Sequence, residues 1–328
     1  MPRPEIQTLY HTVPNVTQLL TVRLTEAYNA AMSQALITCY DTTLGIGDDI
    51  TFDLGYEGDF GKVFTGYVSN IERGLPEAEC LITCHDELFK ATEYFIAVDD
   101  PGSPLQYSNI KSEDFVEAIL NLASITSYFS DIPLEFIWGT NGPVEINLVN
   151  TWQLLSDFAG MLAWHLYADR SGVVNYVDRK PYDMGGDSAS FTWTTASGYE
   201  DIKSISHIKS VRKLRNRVVV YGKNNLSSTA SAVSPYLPAG FYKTAVIATP
   251  LLDTTSLTSS AANYNLALYN RLTESLTVEI IGDWNVKPRL FANVTDSFTG
   301  TSGMWFIYQV EHQFGQGSGY TQNITLTK

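Results

Sequence analysis

The chain has 328 residues, 44% of them apolar, with 35 acidic against 21 basic side chains and a formal net charge of −14. Such a balance excludes the overall basic face of a nucleic-acid binder, although an acidic wall would let a polyanion slide past without trapping it. No run of about 18 apolar residues could span a membrane, and a chain of this length is expected to divide into two or three domains.

The opening Met-Pro-Arg-Pro-Glu-Ile-Gln lacks the apolar core of a secretory signal, which predicts synthesis and folding in a cytoplasm. Residues 1–95 then read as strands over 17–24, 35–40, 50–54, 62–72 and 78–84. In the first, Leu20, Val22 and Leu24 alternate onto one face. Tight turns at Gly45-Ile-Gly-Asp-Asp49 and Gly55-Tyr-Glu-Gly-Asp59 separate them, which predicts a small antiparallel barrel or sandwich. Cys39, Cys80 and Cys84 are expected to be free and buried. Cys80 and Cys84 would lie about 13 Å apart along one strand, beyond the reach of a disulfide.

A linker is expected at Asp99-Asp-Pro-Gly-Ser-Pro104. A helix follows with Ser112 as its N-cap, Glu113 and Asp114 in its first turn, and Phe115, Ile119 and Leu122 on its apolar face. A second helix starts at Asn150-Thr151 and carries Trp152, Leu155, Phe158, Ala159 and Leu162. Strands over 164–167 and 173–177 then flank the turn Asp169-Arg-Ser-Gly172. Beyond Gly185-Gly186 come a strand over 213–222, a long polar loop, a helix over 259–276, and strands over 277–281, 290–296, 304–312 and 320–327. The predicted fold class is therefore mainly β with a small α+β module. Residues 1–98 form a first barrel, 99–186 a helix-plus-hairpin middle domain, and 187–328 a second barrel with one helix.

Catalytic patterns are weak. The five histidines, at 11, 85, 165, 207 and 312, are scattered, and His165 reads as a core or edge residue. Gly315-Gln-Gly-Ser-Gly319 has its serine at the wrong offset for a nucleophile elbow. The pairs Asp48-Asp49 and Asp99-Asp100 fall in turn or linker sequence, where aspartate is common without catalysis. No phosphate-binding glycine loop occurs, the spacing of Asp53, Glu57 and Asp59 fails for calcium, and zinc would lack two ligands. No catalytic, cofactor or metal residue is nominated. The basic run Lys209, Arg212, Lys213, Arg215 and Arg217 stands out in an acidic chain. It reads either as a solvated strand edge protected by charge or as a candidate subunit interface formed by Arg212, Lys213, Arg215 and Arg217. Gly66, Gly172 and Gly222 are expected where a turn or a close backbone approach requires glycine.

Three segments resemble the central baseplate hub proteins of tailed phages, the late-control-D and defective-prophage XkdQ type. Lys62-Val-Phe-Thr-Gly-Tyr-Val-Ser-Asn-Ile-Glu72 resembles the F-x-G-x-V/I strand of the first hub barrel. The helix from Trp152, running into Trp164-His-Leu-Tyr-Ala-Asp169 and Ser171-Gly-Val-Val-Asn-Tyr176, resembles the middle hub domain. Arg215-Asn-Arg-Val-Val-Val-Tyr-Gly222 resembles the N-x-V-x-V-x-G strand that opens the second barrel. The sequence departs from the family at Gly282-Asp-Trp-Asn-Val-Lys-Pro-Arg289, where Arg289 replaces a usual glycine.

The resemblance implies a non-enzymatic homotrimer in which two barrels per chain form a pseudo-hexameric ring. That ring would adapt a six-fold tail tube to a three-fold spike or tip and would enclose the DNA channel. The implied partners are the tail tube protein, the central spike or tip protein, other baseplate proteins, and passing DNA without specific binding. The implied place is the tail baseplate or tip of a virion, assembled in the host cytoplasm. The rival readings are the related hub of a non-contractile tail, a tail-tip carbohydrate-active (wall-degrading) or host-binding protein, and the spike of a related secretion apparatus.

Overall fold

The computed structural model describes residues 8–28, 30–74, 79–98, 103–131, 136–177, 187–195, 202–270, 274–315 and 317–328. The chain is mainly β, with four α-helices among the described residues. Six strands open it: β1 (Leu9–His11), β2 (Val16–Ala27), β3 (Gln34–Thr42), β4 (Asp49–Tyr56), β5 (Asp59–Arg73) and β6 (Cys80–His85). A body of helices and short strands follows, comprising α1 (Phe89–Glu93), β7 (Phe95–Ile96), β8 (Leu105–Tyr107), β9 (Ile110–Lys111), α2 (Ser112–Leu122), β10 (Tyr128–Asp131), β11 (Ile137–Trp138), β12 (Val144–Ile146), β13 (Val149–Asn150), α3 (Thr151–Met161), β14 (His165–Ala168) and β15 (Val174–Val177). The remainder holds β16 (Phe191–Thr194), β17 (Ile202–Lys209), β18 (Arg217–Tyr221), β19 (Ser227–Ser231), β20 (Thr244–Ala248), α4 (Thr255–Tyr269), β21 (Glu274–Ile281), β22 (Phe291–Asp296), β23 (Thr301–Gly315) and β24 (Gly319–Thr327).

One twelve-stranded sheet joins the two ends of the chain. Its main path runs β1-β4-β5-β6-β3-β2-β23-β24-β21-β17, with β22 on β23 and β16 parallel to β22. The join is the antiparallel pairing of β2 with β23, in register from Thr21 opposite Gly315 to Ala27 opposite Gln309. Each half has its own apolar core. Val22, Leu24, Ile37, Phe52, Phe64 and Ile82 anchor the first, which also takes in Phe314 and Tyr320 from the far end of the chain. Leu276, Val278, Trp305, Val310 and Ile324 anchor the second.

The inward alternation of β2 starts at Leu19, not at the expected Leu20. A bulge between Leu19 and Thr21, with Gln18 at a left-handed φ of 48°, shifts the register by one residue. The three cysteines are free and buried. Cys39 lies directly opposite Cys80 across β3 and β6. Burial pushes the Cys84 thiol up to about 12, and burial, with Cys80 beside it, takes Cys39 to about 11, so neither is a ready nucleophile.

The helical body has the largest core, with Phe115 of α2 stacked on Phe158 of α3 at 4.3 Å and Trp138 buried against them. Each such aromatic contributes about 1.5–3 kcal/mol by burial. Asn150 caps α3 by accepting from the Gln153 amide at 3.2 Å. Ser112 does not cap α2: it is the first helical residue, and its hydroxyl bonds the buried Tyr176 hydroxyl at 3.0 Å.

Residues 210–270 pack differently from the expected second barrel. Strand β18 lies between β19 and parallel β20 in a separate three-stranded sheet. Its Val218 and Val220 join Leu257, Ala261 and Ala262 of α4 in the core of the helical body. Asn265 donates to the Met161 carbonyl at 2.9 Å, and Asn141 bonds both the side chain and the carbonyl of Asp253. The core changes between Tyr176, in the helical body, and Trp193, in the second half-sheet; the chain then leaves the large sheet after β17 and returns with β21. Helix α4 itself is displaced from 259–276, because the Thr254 hydroxyl caps it at Leu257 and Leu276 is buried within β21. Residues 99–102 of the expected linker and Gly185-Gly186 lie outside the described residues.

Of the three singled-out glycines, Gly172 is in a turn at φ +81°. Gly66 sits inside β5 and Gly222 just after β18, each where a backbone carbonyl closes in. A Cβ on Gly66 would meet the His85 carbonyl oxygen at 2.0 Å, and one on Gly222 would meet that of Leu252 at 2.1 Å. Gly66→Ala is therefore expected to cost about 1–3 kcal/mol or more, because the obstacle is backbone. Gly74→Ala, with nothing within 4 Å, should stay within about 0.5 kcal/mol. Urea unfolding midpoints of the two variants give the comparison.

Candidate functional site: a charged joint and a basic surface

Inward alternation along β2 places Val22, Leu24 and then Glu26 toward the interior. A carboxylate there needs a partner, and the β14–β15 turn supplies it. Asp169 accepts the amides of Ser171 and Val173 at 2.8 and 3.1 Å, which shapes the turn and projects Arg170. The Arg170 guanidinium holds Glu26 bidentately at 2.9 and 2.5 Å. It also donates to the carbonyls of Trp284 and of Val286, the latter at 2.7 Å, in the loop before β22. The Arg170 carbonyl in turn accepts from the Thr65 hydroxyl of β5 at 2.8 Å. One arginine thus ties the first half-sheet, the second half-sheet and the helical body together.

His312 of β23 completes the joint. Its Nε2 donates to Glu26 at 3.0 Å, and its Nδ1 accepts from the Tyr320 hydroxyl at 2.7 Å, the arrangement of a neutral ring. Burial lowers the His312 pKa, in agreement with that tautomer. Burial alone would raise the Glu26 pKa, but Arg170, with help from His312, overrides it and brings the carboxyl to about 2.

A cavity of about 340 Å³ adjoins the joint, lined among others by Tyr28, Met32, Asp86, His165, Lys287 and Arg289. Arg289 has φ +76°. That left-handed conformation costs a non-glycine residue on the order of 1 kcal/mol. Its guanidinium lies 4.8 Å over the Tyr167 ring and donates to His165 Nδ1 at 2.5 Å. His165 stacks on Tyr28 at 3.9 Å and is held neutral by burial and by the neighbouring cation. Asp86 accepts the amides of Ser33 and Leu88 at 2.6 and 3.0 Å, yet burial raises its pKa to about 7. The sequence marks His165 only as a core or edge histidine and Arg170 only as a turn residue, and it marks nothing at Glu26 or Asp86. The available signal was a charged residue at an inward position of an alternating strand, as at Glu26.

The basic run lies apart from this joint. Lys209, at the end of β17, pairs with Glu274 at 3.4 Å. Arg212 and Lys213 are exposed in the crossing to β18, and Arg215 is half-buried with its guanidinium on the Arg212 and Leu214 carbonyls. Arg217 lies over the Tyr242 ring at 5.6 Å. Among the described residues none of these last four has a carboxylate partner within ion-pair distance. Arg217 is in the central strand of its sheet, so protection of a sheet edge does not account for it. No group of three or more His, Cys, Asp or Glu side chains placed to hold a metal occurs among the described residues.

No family model and no curated protein matches the sequence. Solved structures do. A tail protein from Neisseria meningitidis MC58 superposes with a TM-score of 0.74 at 12% identity, over 98% of this chain and 96% of its own. The fold is that of a phage tail protein. A 43 kDa tail protein of prophage MuSo2 from Shewanella oneidensis gives a TM-score of 0.68 at 12% identity, with 97% of each chain covered. The Escherichia coli c3393 protein gives 0.60 at 11% identity, over 97% of this chain and 76% of its own. That protein is described as a component of the type VI secretion system with structural similarity to the T4 bacteriophage tail proteins gp27 and gp5.

Two stability tests follow from the joint. Removing Arg170 strands a buried carboxylate, so Arg170→Ala should destabilise the fold by about 3–5 kcal/mol in denaturant titrations. The pH response has two opposed parts. Glu26, held at about 2 against an ordinary 4.5, stabilises fully above 4.5 and loses that contribution as pH falls toward 2. Asp86, raised from 3.8 to about 7, has its contribution intact below 3.8 and loses it as pH rises through 7. In Asp86→Asn the fall in melting temperature between about pH 5 and about pH 8 should shrink, as read by circular dichroism.

Proposed function

We propose that this chain is a structural, non-enzymatic hub of a phage or phage-like tail, placed in the baseplate or tip. In this reading three copies form a pseudo-hexameric ring that adapts the six-fold tail tube to a three-fold spike or tip and encloses the DNA channel. The observation that carries the reading is the single sheet in which two strand-rich halves, one from each end of the chain, are joined through β2 and β23. Two halves per chain supply six in a trimer, which is the symmetry match such an adaptor needs. The formal charge of −14 fits a channel that passes DNA without retaining it. The partners of this reading are the tail tube protein, the spike or tip protein and other baseplate proteins. The unpaired cations Arg212, Lys213, Arg215 and Arg217 are its candidate subunit interface.

Electron cryo-microscopy of purified particles tests the hub reading. Three copies around an axial channel, each giving two sheet halves to one ring, support it. Peripheral copies around no axial lumen sink it and favour a host-binding or wall-degrading tail-tip protein. For the interface, the triple variant Arg212→Glu, Lys213→Glu, Arg215→Glu should keep the melting temperature of the isolated chain to within a few degrees. The same variant should reduce the yield of assembled particles, and a wild-type yield would remove these residues from the interface.

A further inference from the structure

The four unpaired cations do not lie on a purely polar surface. The loop between β19 and β20 folds back over them. Asn216 accepts from the Lys243 amide at 2.8 Å and donates to the Phe241 carbonyl at 3.0 Å. The Lys243 ammonium donates to the Val211 and Arg212 carbonyls, at 2.5 and 3.2 Å, and adds a further cation. Phe241 and Tyr242 are 53% and 50% exposed, and Val246 on neighbouring β20 is 63% exposed. Aromatic rings beside arginines are the composition of an interface core, whereas a surface meant only for water seldom carries them.

The complementary surface is in the same chain. Residues 40–60 hold six carboxylates and no lysine or arginine: Asp41, Asp48, Asp49, Asp53, Glu57 and Asp59. Between β3 and β4 the turn presents Ile46, 72% exposed, next to Asp48 and Asp49. That turn is rigid before it meets anything. Asp48 accepts the Gly45 amide at 2.8 Å, and the Gly47 amide donates to the Val68 carbonyl at 2.8 Å. No cation within ion-pair distance of Asp48 or Asp49 occurs among the described residues. An apolar knob flanked by two acids thus matches an aromatic surface flanked by cations, and its preorganisation lowers the entropy lost on contact.

The two surfaces are different patches of one chain: the acidic turn joins β3 to β4 in the large sheet, and the basic surface lies in the crossing from β17 to β18 and in the β19–β20 loop of the separate sheet. Pairing two unlike patches makes a head-to-tail contact between copies, which closes a ring when the rotation allows. Resting on the hub reading, we propose that the acidic turn carrying Ile46, Asp48 and Asp49 of one copy docks on the basic, aromatic surface of Arg212, Lys213, Phe241 and Tyr242 of the next copy.

A charge exchange tests this in full-length chains assembled into particles. Asp48→Lys with Asp49→Lys, and separately Arg212→Glu with Lys213→Glu, should each lower assembled-particle yield at least about tenfold, the scale of one or two lost charge contacts. All four substitutions in one chain restore the opposite charges across the contact and should recover most of the yield. The proposal is overturned if the fourfold variant assembles no better than either parent, or if the lysine pair assembles like wild type. Should a reversal variant melt early in isolation, the neutral pair Asp48→Asn with Asp49→Asn replaces it. A reduced yield for that pair then supports the contact, and a wild-type yield overturns it. An axial trimer in wild-type particles combined with a failed exchange overturns this contact alone. Peripheral wild-type copies overturn the hub reading itself.

Discussion

Everything in this molecule depends on β2 finding β23. Those two strands come from opposite ends of the chain, and their antiparallel ladder converts two half-sheets into one. The first core is completed by Phe314 and Tyr320 from the far end, and the Tyr56 hydroxyl reaches the Tyr320 carbonyl at 3.0 Å. Hydrogen bonds in a sheet fix register but contribute only about 1 kcal/mol each in net terms. The seam is therefore secured by what is buried along it. Leu24 and Val310 are fully buried beside it, and Glu26, Arg170 and His312 lock its inner side with charge.

That lock is an expensive kind of interaction. A buried ion pair repays its desolvation only when the geometry is close to ideal and every remaining donor is satisfied. Arg170 comes close to the condition by dividing four of its five N–H donors between the Glu26 carboxylate and two loop carbonyls. An apolar plug could fill the same volume, but it could not specify which turn meets which loop. The joint trades some stability for a defined relation among three parts of one chain.

The sequence made the local elements legible. Alternation located β3, β4, β5 and β6, the Asn150 cap located α3, and the Asp169-to-Gly172 turn located the β14–β15 hairpin. What it hid was non-local. Nothing near residue 20 announces the bulge that makes Leu19, not Leu20, the inward residue. The allegiance of β18 and α4 to the helical body rests on contacts such as Asn265 with Met161, 104 positions away. Glu26 and Arg170 are 144 positions apart, and each alone reads as an ordinary charged residue. The basic run was visible as an anomaly of charge, but its aromatic company comes from a loop whose fold-back no periodicity signals. Arg289 was visible as a departure, while the tyrosine and histidine that make a left-handed arginine tolerable were not.

The β2–β23 seam also has a consequence in time. On a ribosome β2 emerges first, and β23 follows only after the residues between Ala27 and Thr301 have been made. At about 5–20 residues per second that interval is roughly 15–60 s, during which the edge of β2 has no ladder to join. A nascent chain with an open, apolar-faced edge is a template for pairing with its siblings on the same message. The exposed rim of β2 is polar: Thr17, Thr21, Arg23 and Thr25 face outward along it. Those side chains make the waiting strand a poor aggregation seed, so the outer face of β2 serves a stage in the life of the protein that its finished structure no longer displays.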